Sequence, residues 1–130
     1  MNTDEEKRFD WITEKIIACA FKVHNKLGSG FSEKVYENAM ILELQKAGLP
    51  VSRQVPIQVR YDGTVVGDFI ADLVVEGTII IELKAIKALD ELHYAQCINY
   101  LAATGLPVCL LINFGKRVEV KRLAGKSFLS

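Results

Sequence analysis

The chain has 130 residues, of which half are hydrophobic and a quarter are charged. This composition is that of a single folded domain and excludes an intrinsically disordered chain. Sixteen basic residues balance sixteen acidic ones. The balance argues against a strongly basic protein that binds nucleic acid mainly through its net charge.

Three cysteines are scattered along the chain, at Cys19, Cys97 and Cys109. None belongs to a C-x-x-C pair, which argues against a zinc ribbon, a thioredoxin-type site and a disulfide framework. The first ten residues are polar and acidic, unlike a signal peptide. No apolar run approaches the ~20 residues of a membrane-spanning helix. We therefore expect a cytoplasmic protein that does not associate with a membrane.

Two helices are predicted in the first third of the chain. Apolar residues recur at spacings of three and four from Asp10 to Leu27, with Asp10 as the N-cap. Gly28-Ser29-Gly30 is a tight break. A second helix then begins at Ser32, a plausible cap, and runs to Lys46, before the stop signal Ala47-Gly48-Leu49-Pro50.

The middle of the chain changes to the two-residue period of β-strands. Apolar and polar residues alternate from 54 to 60, up to a turn at Tyr61-Asp62-Gly63. Two β-rich runs follow, Phe69 to Val75 and Thr78 to Lys84, and they are separated by Glu76-Gly77. We interpret these two runs as a β-hairpin.

One more helix and two more strands complete the chain. The helix spans Asp90 to Thr104, and its apolar residues share one side: Leu92, Ala95, Ile98 and Leu101. Leu106 to Phe114 is an almost continuous apolar run, typical of a strand covered on both faces. Val118 to Arg122 is a short last strand. This order of elements predicts an α/β fold with a central mixed sheet flanked by helices.

Charged residues interrupt the apolar hairpin at Asp72, Glu82 and Lys84. Charges within apolar strands are costly unless they are paired or used. Glu82 and Lys84 are two residues apart, so they share a face of their strand. A two-residue turn would direct Asp72 away from Glu82, whereas a three-residue loop places both carboxylates on one face. We predict the three-residue loop, with Gly77 in a left-handed conformation.

Two carboxylates and one ammonium group on a strand pair suit a specific chemistry. Carboxylate oxygens are ligands for a hard divalent cation such as Mg²⁺, with Mn²⁺ as a substitute. Such an ion polarises a phosphate and lowers the pKa of a bound water, while Lys84 would orient that water or stabilise developing negative charge. The alternative is a sheet salt bridge between Lys84 and Asp72 or Glu82. Spacing alone does not decide between the two.

Two segments resemble a known group of proteins. Asp72 to Lys84, D-x9-E-x-K, resembles the active-site hairpin of the PD-(D/E)XK nuclease superfamily, with Ala71 where the superfamily name has proline. Gly30 to Tyr36 matches G-x-x-E-x-x-Y, the heptapeptide of the GxxExxY protein family within that superfamily. The resemblance covers about residues 10 to 122. It implies a restriction-endonuclease-like core, αβββαβ, similar to RecB-like and lambda-exonuclease-like nucleases.

The same resemblance implies roles for residues on two helices. In the related nucleases a glutamate on the helix before the hairpin faces the metal, which gives that role to Glu33. The alternative is that Glu33 only complements the helix dipole. Gln96 and Tyr100 match the Q-x-x-x-Y motif of RecB-like nucleases, although an ordinary amphipathic helix would also contain them. We expect Tyr36, Gln96 and Tyr100 to contact nucleic acid.

The resemblance therefore implies a Mg²⁺-dependent nuclease, with DNA favoured over RNA as its substrate. The metal would be held by three side chains and the backbone carbonyl of Leu83, namely Glu33, Asp72 and Glu82, and the catalytic residues would be Asp72, Glu82 and Lys84. A homodimer or a partner protein would strengthen its hold on DNA. Two alternatives stay open: a catalytically silent module that binds nucleic acid or a partner protein, and a structural domain with a chance cluster of charges.

Overall fold

The computed structural model describes residues 3–126 and confirms the predicted order of elements within them. The elements in chain order are α1 (Thr3–Leu27), α2 (Glu33–Lys46), β1 (Val51–Tyr61), β2 (Thr64–Val75), β3 (Ile79–Lys84), α3 (Glu91–Thr104), β4 (Val108–Phe114) and β5 (Val118–Ala124). The strands β1 and β2 extend beyond the predicted runs because the turn between them is tight. Asp62 and Gly63 both have positive φ, at 50° and 78°, as in the two-residue turns that suit twisted hairpins.

The strands form one mixed sheet in the order β1-β2-β3-β4-β5. Only β3 and β4 are parallel among these neighbours; the other three pairs are antiparallel. A parallel pair needs a long crossover connection, and α3 supplies it across one face of the sheet. Helices α1 and α2 cover the opposite face. The predicted mixed sheet with helices on both sides is confirmed.

Strand β4 lies at the centre of the hydrophobic core. All seven of its residues are buried, as the continuous apolar run predicted. Leu110 and Ile112 pack in the core beneath α1 and α2, whereas Cys109 and Leu111 pack beneath α3. Burial of each large apolar side chain contributes about 1.5–3 kcal/mol, so this strand fixes the position of its neighbour β3.

The first helix starts earlier than predicted. It begins at Thr3, not at Asp10, and no glycine or proline separates the two positions. Three acidic residues occupy its first turn, where they complement the helix dipole. Asp10 is an exposed mid-helix residue that pairs with Arg122, with 2.7 Å between Oδ1 and Nη1. The expected cap at Ser32 is the N-cap residue of α2, but its side chain makes no capping hydrogen bond.

The predicted buried face of α3 is wrong in part. Leu92 is 80% exposed and Ile98 is also exposed, whereas Cys97, Tyr100 and Leu101 are buried. Both sets of residues recur at helical spacing, so the period alone could not select the face. The N-terminus of the helix is as predicted, because the Asp90 carboxylate accepts a hydrogen bond from the amide of Leu92.

The three cysteines are buried free thiols. None of them forms a disulfide, in keeping with their scattered spacing. Within residues 3–126, no helix has the length and apolar character that crossing a membrane requires.

Candidate active site

The β2–β3 hairpin has the predicted register. Val75 lies opposite Ile79, and the pairing continues to Leu73 opposite Ile81, which leaves a three-residue loop from 76 to 78. Gly77 is left-handed in that loop, with φ of 67°. Continued along the strands, this register places Asp72 opposite Glu82. The two carboxylates therefore meet, as the three-residue loop required.

The backbone ladder between the two strands stops where the carboxylates begin. The amide of Asp72 donates to Oε1 of Glu82 at 3.2 Å. The amide of Leu83 donates to Oδ2 of Asp72 at 2.8 Å. Each carboxylate thus accepts a backbone amide from the opposite strand, so the two side chains bridge the gap between β2 and β3. These hydrogen bonds hold both side chains in fixed positions.

The carboxylates lie in an environment that disfavours their charge. Glu82 is only 4% exposed, and its burial, followed by the charge of Asp72, raises the pKa of Glu82 to about 9. Burial also raises the pKa of Asp72, against the opposing effect of the Leu83 amide. Lys84 favours the charged forms, but its effect on each carboxyl is the smallest of the causes. The positive charge of Lys84 is therefore not sufficient to offset the effect of burial on the two carboxyl groups.

The salt-bridge alternative for Lys84 is not observed. Among residues 3–126, the ion pairs within 4.0 Å do not include Lys84 with either carboxylate. Lys84 is half-buried and close enough to influence both acids. Its ammonium group therefore stays available for a phosphate or a water.

The end of β3 is held by a buried asparagine that the sequence analysis did not single out. Asn113 lies beside Lys84 in the β3–β4 pairing and is completely buried. Its side chain accepts from the amide of Ile86 at 2.9 Å and donates to the Ile86 carbonyl at 3.0 Å. The loop after Lys84 is therefore fixed to β4. The sequence does mark this residue, since Asn113 is the one polar residue between Val108 and Phe114.

On α2, Glu37 is a buried glutamate whose charge reaches Asp72. Its charge contributes to the raised pKa of Asp72, and its side chain is 4% exposed. Arg53 donates to its Oε2 at 3.0 Å and Gln54 to its Oε1 at 2.6 Å. Glu33, one turn earlier, is exposed, and its side chain forms no hydrogen bond or ion pair within the part of the chain that the structure describes.

Strand β1 is distorted opposite Asp72. Gln54 has φ of 50°, a left-handed conformation that is uncommon for a residue other than glycine. The pairing with β2 skips this position, between Arg53 opposite Leu73 and Val55 opposite Ala71. The hydrogen bond from Gln54 to Glu37 holds the distortion in place. It joins the buried glutamate to β1, the neighbour of the strand that bears Asp72.

The two residues of the Q-x-x-x-Y motif lie on the other side of the site. Tyr100 is 5% exposed. Burial, followed by the charges of Glu82 and Asp72, raises its pKa to about 12, so its phenol lies near the carboxylates. Gln96 is half-buried, one turn earlier on α3, and its side chain forms no hydrogen bond with any residue from 3 to 126. The structure thus brings Tyr100 to the vicinity of Glu82, and Gln96 lines the same groove as Tyr100.

Tyr36 is part of the hydrophobic core. It is fully buried, and its ring stacks on Phe114 with 4.4 Å between the centroids. Its hydroxyl donates to the Gly28 carbonyl at 2.6 Å and accepts from the Phe31 amide at 3.3 Å. These contacts argue against the expected nucleic-acid contact. They indicate that Tyr36 closes the loop between α1 and α2.

Comparison with known proteins identifies the family. The sequence model of the PD-(D/E)XK nuclease superfamily matches residues 10–123, which include every element that contributes to the site. The chain belongs to the PD-(D/E)XK nuclease superfamily. A search of curated proteins finds no significant match.

Two solved structures are similar to this chain in fold. The crystal structure of SSO0001 matches 71% of this chain with a TM-score of 0.56 and 17% identity. The alkaline exonuclease LHK-Exo from Laribacter hongkongensis matches 75% of this chain with a TM-score of 0.50 and 16% identity. The matches cover 49% and 58% of those chains, so this chain spans about half the length of its structural neighbours. The predicted restriction-endonuclease-like fold is confirmed.

The site fits a divalent metal ion, the group on which nucleases of this superfamily generally depend. Within residues 3–126, acidic, histidine and cysteine side chains form no cluster of three that could hold a metal. Asp72 and Glu82 form a pair instead. Mg²⁺ is commonly held by one or two carboxylates and keeps several waters, so a pair suffices. A cation would also favour the charged forms of Asp72 and Glu82, whose pKa values are raised by burial.

Proposed function

We propose that this protein is a metal-dependent nuclease that hydrolyses phosphodiester bonds in nucleic acid, with DNA favoured over RNA. The observation that carries the proposal is the pair of carboxylates formed by the half-buried Asp72 and the buried Glu82, with Lys84 beside them and, within residues 3–126, in no ion pair. Its superfamily membership supports the same reaction class. The heptapeptide from Gly30 to Tyr36 further places the chain, by our proposal, in the GxxExxY family.

The residues of the site would divide between metal binding, stabilisation of charge and positioning of the substrate. We assign Asp72, Glu82 and the backbone carbonyl of Leu83 as ligands of Mg²⁺, for which Mn²⁺ would substitute. The bound ion would polarise the phosphate and activate a water. Lys84 would orient the attacking water and stabilise the negative charge that develops on the phosphate oxygens. Gln96 and Tyr100, on the opposite wall, would position the strand to be cut.

The helix glutamate of the site is, in our proposal, Glu37 and not Glu33. Glu37 is buried and close enough to Asp72 to influence its pKa, whereas Glu33 is exposed. Hydrogen bonds from Arg53 and Gln54 fix the Glu37 carboxylate near Asp72. From there it would support the metal site either directly or through a bound water.

Matched variants on α2 separate the two glutamates. We expect Glu37→Gln to weaken Mn²⁺ binding about tenfold or more, since residues that orient metal ligands typically contribute 10- to 100-fold to affinity. Glu33→Gln is the control, and it should bind Mn²⁺ like the wild type. Isothermal titration with Mn²⁺ measures both affinities, and circular dichroism checks the fold. If Glu33→Gln weakened Mn²⁺ binding and Glu37→Gln did not, Glu33 would be the glutamate that supports the metal site.

The nuclease function is tested with the wild-type protein on labelled single-stranded and double-stranded DNA and RNA. Reactions contain Mg²⁺, Mn²⁺ or EDTA. We expect cleavage that requires the metal and is greater on DNA than on RNA. If none of the substrates is cut and titration detects no bound metal, the protein is instead a catalytically silent module that binds nucleic acid or a partner protein.

The charge balance favours an assembly. With a net charge of zero, the chain has little electrostatic attraction for a polyanion beyond local basic residues. We therefore propose that a second copy or a partner protein strengthens its hold on DNA. The three free thiols suit the reducing conditions of the cytoplasm, which is the location we propose.

A further inference from the structure

A large groove lies between α3 and the outer part of the β1–β2 hairpin. Its volume is about 900 Å³, which is within the range of ligand sites. Strand β2 pairs with β3 only from Leu73 to Val75, so the outer part of the hairpin has no β3 beside it. Val59 and Phe69 line the hairpin side of the groove, and Gln96 and Asn99 line the α3 side.

The groove borders the carboxylate pair at Tyr100. Tyr100 lines it and also lies near Glu82 and Asp72, whose charges contribute to its raised pKa. On the opposite wall, Phe69 precedes Asp72 by three residues on β2. The ring centroids of Phe69 and Tyr100 are 5.8 Å apart. A strand whose phosphate reached the carboxylates would therefore place a neighbouring nucleotide in the groove.

Phe69 presents an aromatic surface to that nucleotide. It is 46% exposed, although it lies beside the buried Tyr100. The backbone is adapted to the ring, because a Cβ atom at Gly67 would lie 3.3 Å from its Cε2 atom. Exposed aromatic rings beside a phosphate-binding site are the stacking surfaces on which single-stranded nucleic acids bind.

The polar groups of the groove match the base edge and the phosphate of a nucleotide. Gln96 and Asn99 each offer a carboxamide that forms no hydrogen bond with any residue from 3 to 126. A carboxamide donates and accepts at once, as the edge of an unpaired base requires. Arg60 lines the same groove and is exposed. Its guanidinium donates to the Gly63 carbonyl and to Oε1 of Gln58, and its remaining N–H groups can pair with a backbone phosphate.

We propose that this groove binds one unpaired base of a single-stranded nucleic acid, stacked on Phe69, beside the phosphate to be cut. The proposal rests on the proposed nuclease function and specifies its substrate as single-stranded. In a duplex the base faces are stacked and the pairing edges are occupied, so neither Phe69 nor the two carboxamides could engage them.

The test uses short single-stranded DNA in which 2-aminopurine replaces one base at a time. Binding is measured in EDTA and again with Ca²⁺, and gels confirm that the strand stays intact. We expect quenching of 2-aminopurine fluorescence at one position. Phe69→Ala should abolish the quenching and weaken binding about tenfold or more, in line with the loss of one base stack. Phe69→Trp should retain both. RNA of the same sequence shows whether a 2′-hydroxyl is accepted.

The control variant is Ile70→Ala. Ile70 is the next residue on β2 and is 54% exposed, and strand alternation places it on the opposite face. It should bind like the wild type. An abasic nucleotide at the quenched position should remove the difference between wild type and Phe69→Ala.

Several outcomes would overturn the groove proposal. Equal affinity of wild type and Phe69→Ala for single strands would do so, as would equal wild-type affinity for duplex and single strand. The proposal would also be overturned if the wild type were a dimer and the Phe69→Ala variant a monomer, because a second copy of the chain would then cover the groove. Failure of the nuclease proposal is distinguishable: Phe69-dependent stacking without any cleavage would leave the groove proposal standing and refute catalysis.

Discussion

Lys84→Met should reduce metal-dependent cleavage by about 100- to 1000-fold while leaving Mn²⁺ affinity near that of the wild type. Loss of one group that stabilises charge in a transition state has an effect of this size. Methionine keeps most of the length and apolar character of the lysine stem, and Lys84 has no ion pair to lose within residues 3–126. The variant should therefore fold normally. Single-turnover cleavage rates and Mn²⁺ titration measure the two quantities separately.

Lys87→Met is the matched control for this prediction. Lys87 is exposed, three residues further along the chain, and the substitution removes the same charge. A loss confined to Lys84→Met would assign the effect to the position beside the carboxylates. Equal losses in both variants would instead indicate a general attraction of the substrate to positive charge. If Lys84→Met cleaved the substrate at the wild-type rate, Lys84 would have no role in catalysis.

The hairpin of the site could be predicted because few alternatives existed. Strand residues alternate between two faces, so one choice of loop length decided whether Asp72 and Glu82 meet. A three-residue loop with a left-handed glycine is a standard hairpin connection, which favoured the register that brings them together. The glycine at 77 made that loop accessible, because φ there is positive. Local backbone chemistry was sufficient for this part of the site.

The buried faces of the helices were harder to predict, because the face that a helix buries depends on the sheet beneath it. On α3, two apolar stripes have equivalent spacing, and only the packing against β4 selects Cys97 and Leu101. On α2, Glu33 and Glu37 are one turn apart. Glu37 pairs with Lys34 on α2 and accepts from Arg53 and Gln54 on β1. The two contacts from β1 could not be inferred from spacing within α2.

The distortion of β1 shows a further limit of periodicity. Val51 packs with the core under α1 and α2, whereas Val55 and Ile57 pack with the core under α3. Residues an even number apart should share a face of a regular strand. The left-handed Gln54 between them reverses that relation. A strict two-residue period cannot predict such a change, and here it occurs directly opposite Asp72.

Glu82→Gln should stabilise the metal-free protein at neutral pH. The pKa of Glu82 is raised from 4.5 to about 9, so at pH 7 the folded state holds a proton that the unfolded state has released. Each pH unit above 4.5 costs the folded state about 1.4 kcal/mol, or about 3 kcal/mol at pH 7. Glutamine removes this cost and keeps an oxygen to accept the Asp72 amide. The melting temperature in EDTA should rise by about 5–10 °C.

The pH dependence identifies the cause of that gain. A raised acid pKa leaves the protein most stable below 4.5 and progressively less stable as pH increases toward 9, so the gain from Glu82→Gln should be large at pH 8 and nearly absent at pH 5. Glu14→Gln, an exposed change on α1, should have little effect at either pH. Added Mg²⁺ should raise the melting temperature of the wild type but not that of Glu82→Gln. If Glu82→Gln were less stable than the wild type at pH 8 in EDTA, the buried carboxyl would contribute favourably to the fold, and the need for a compensating cation would lose its physical basis.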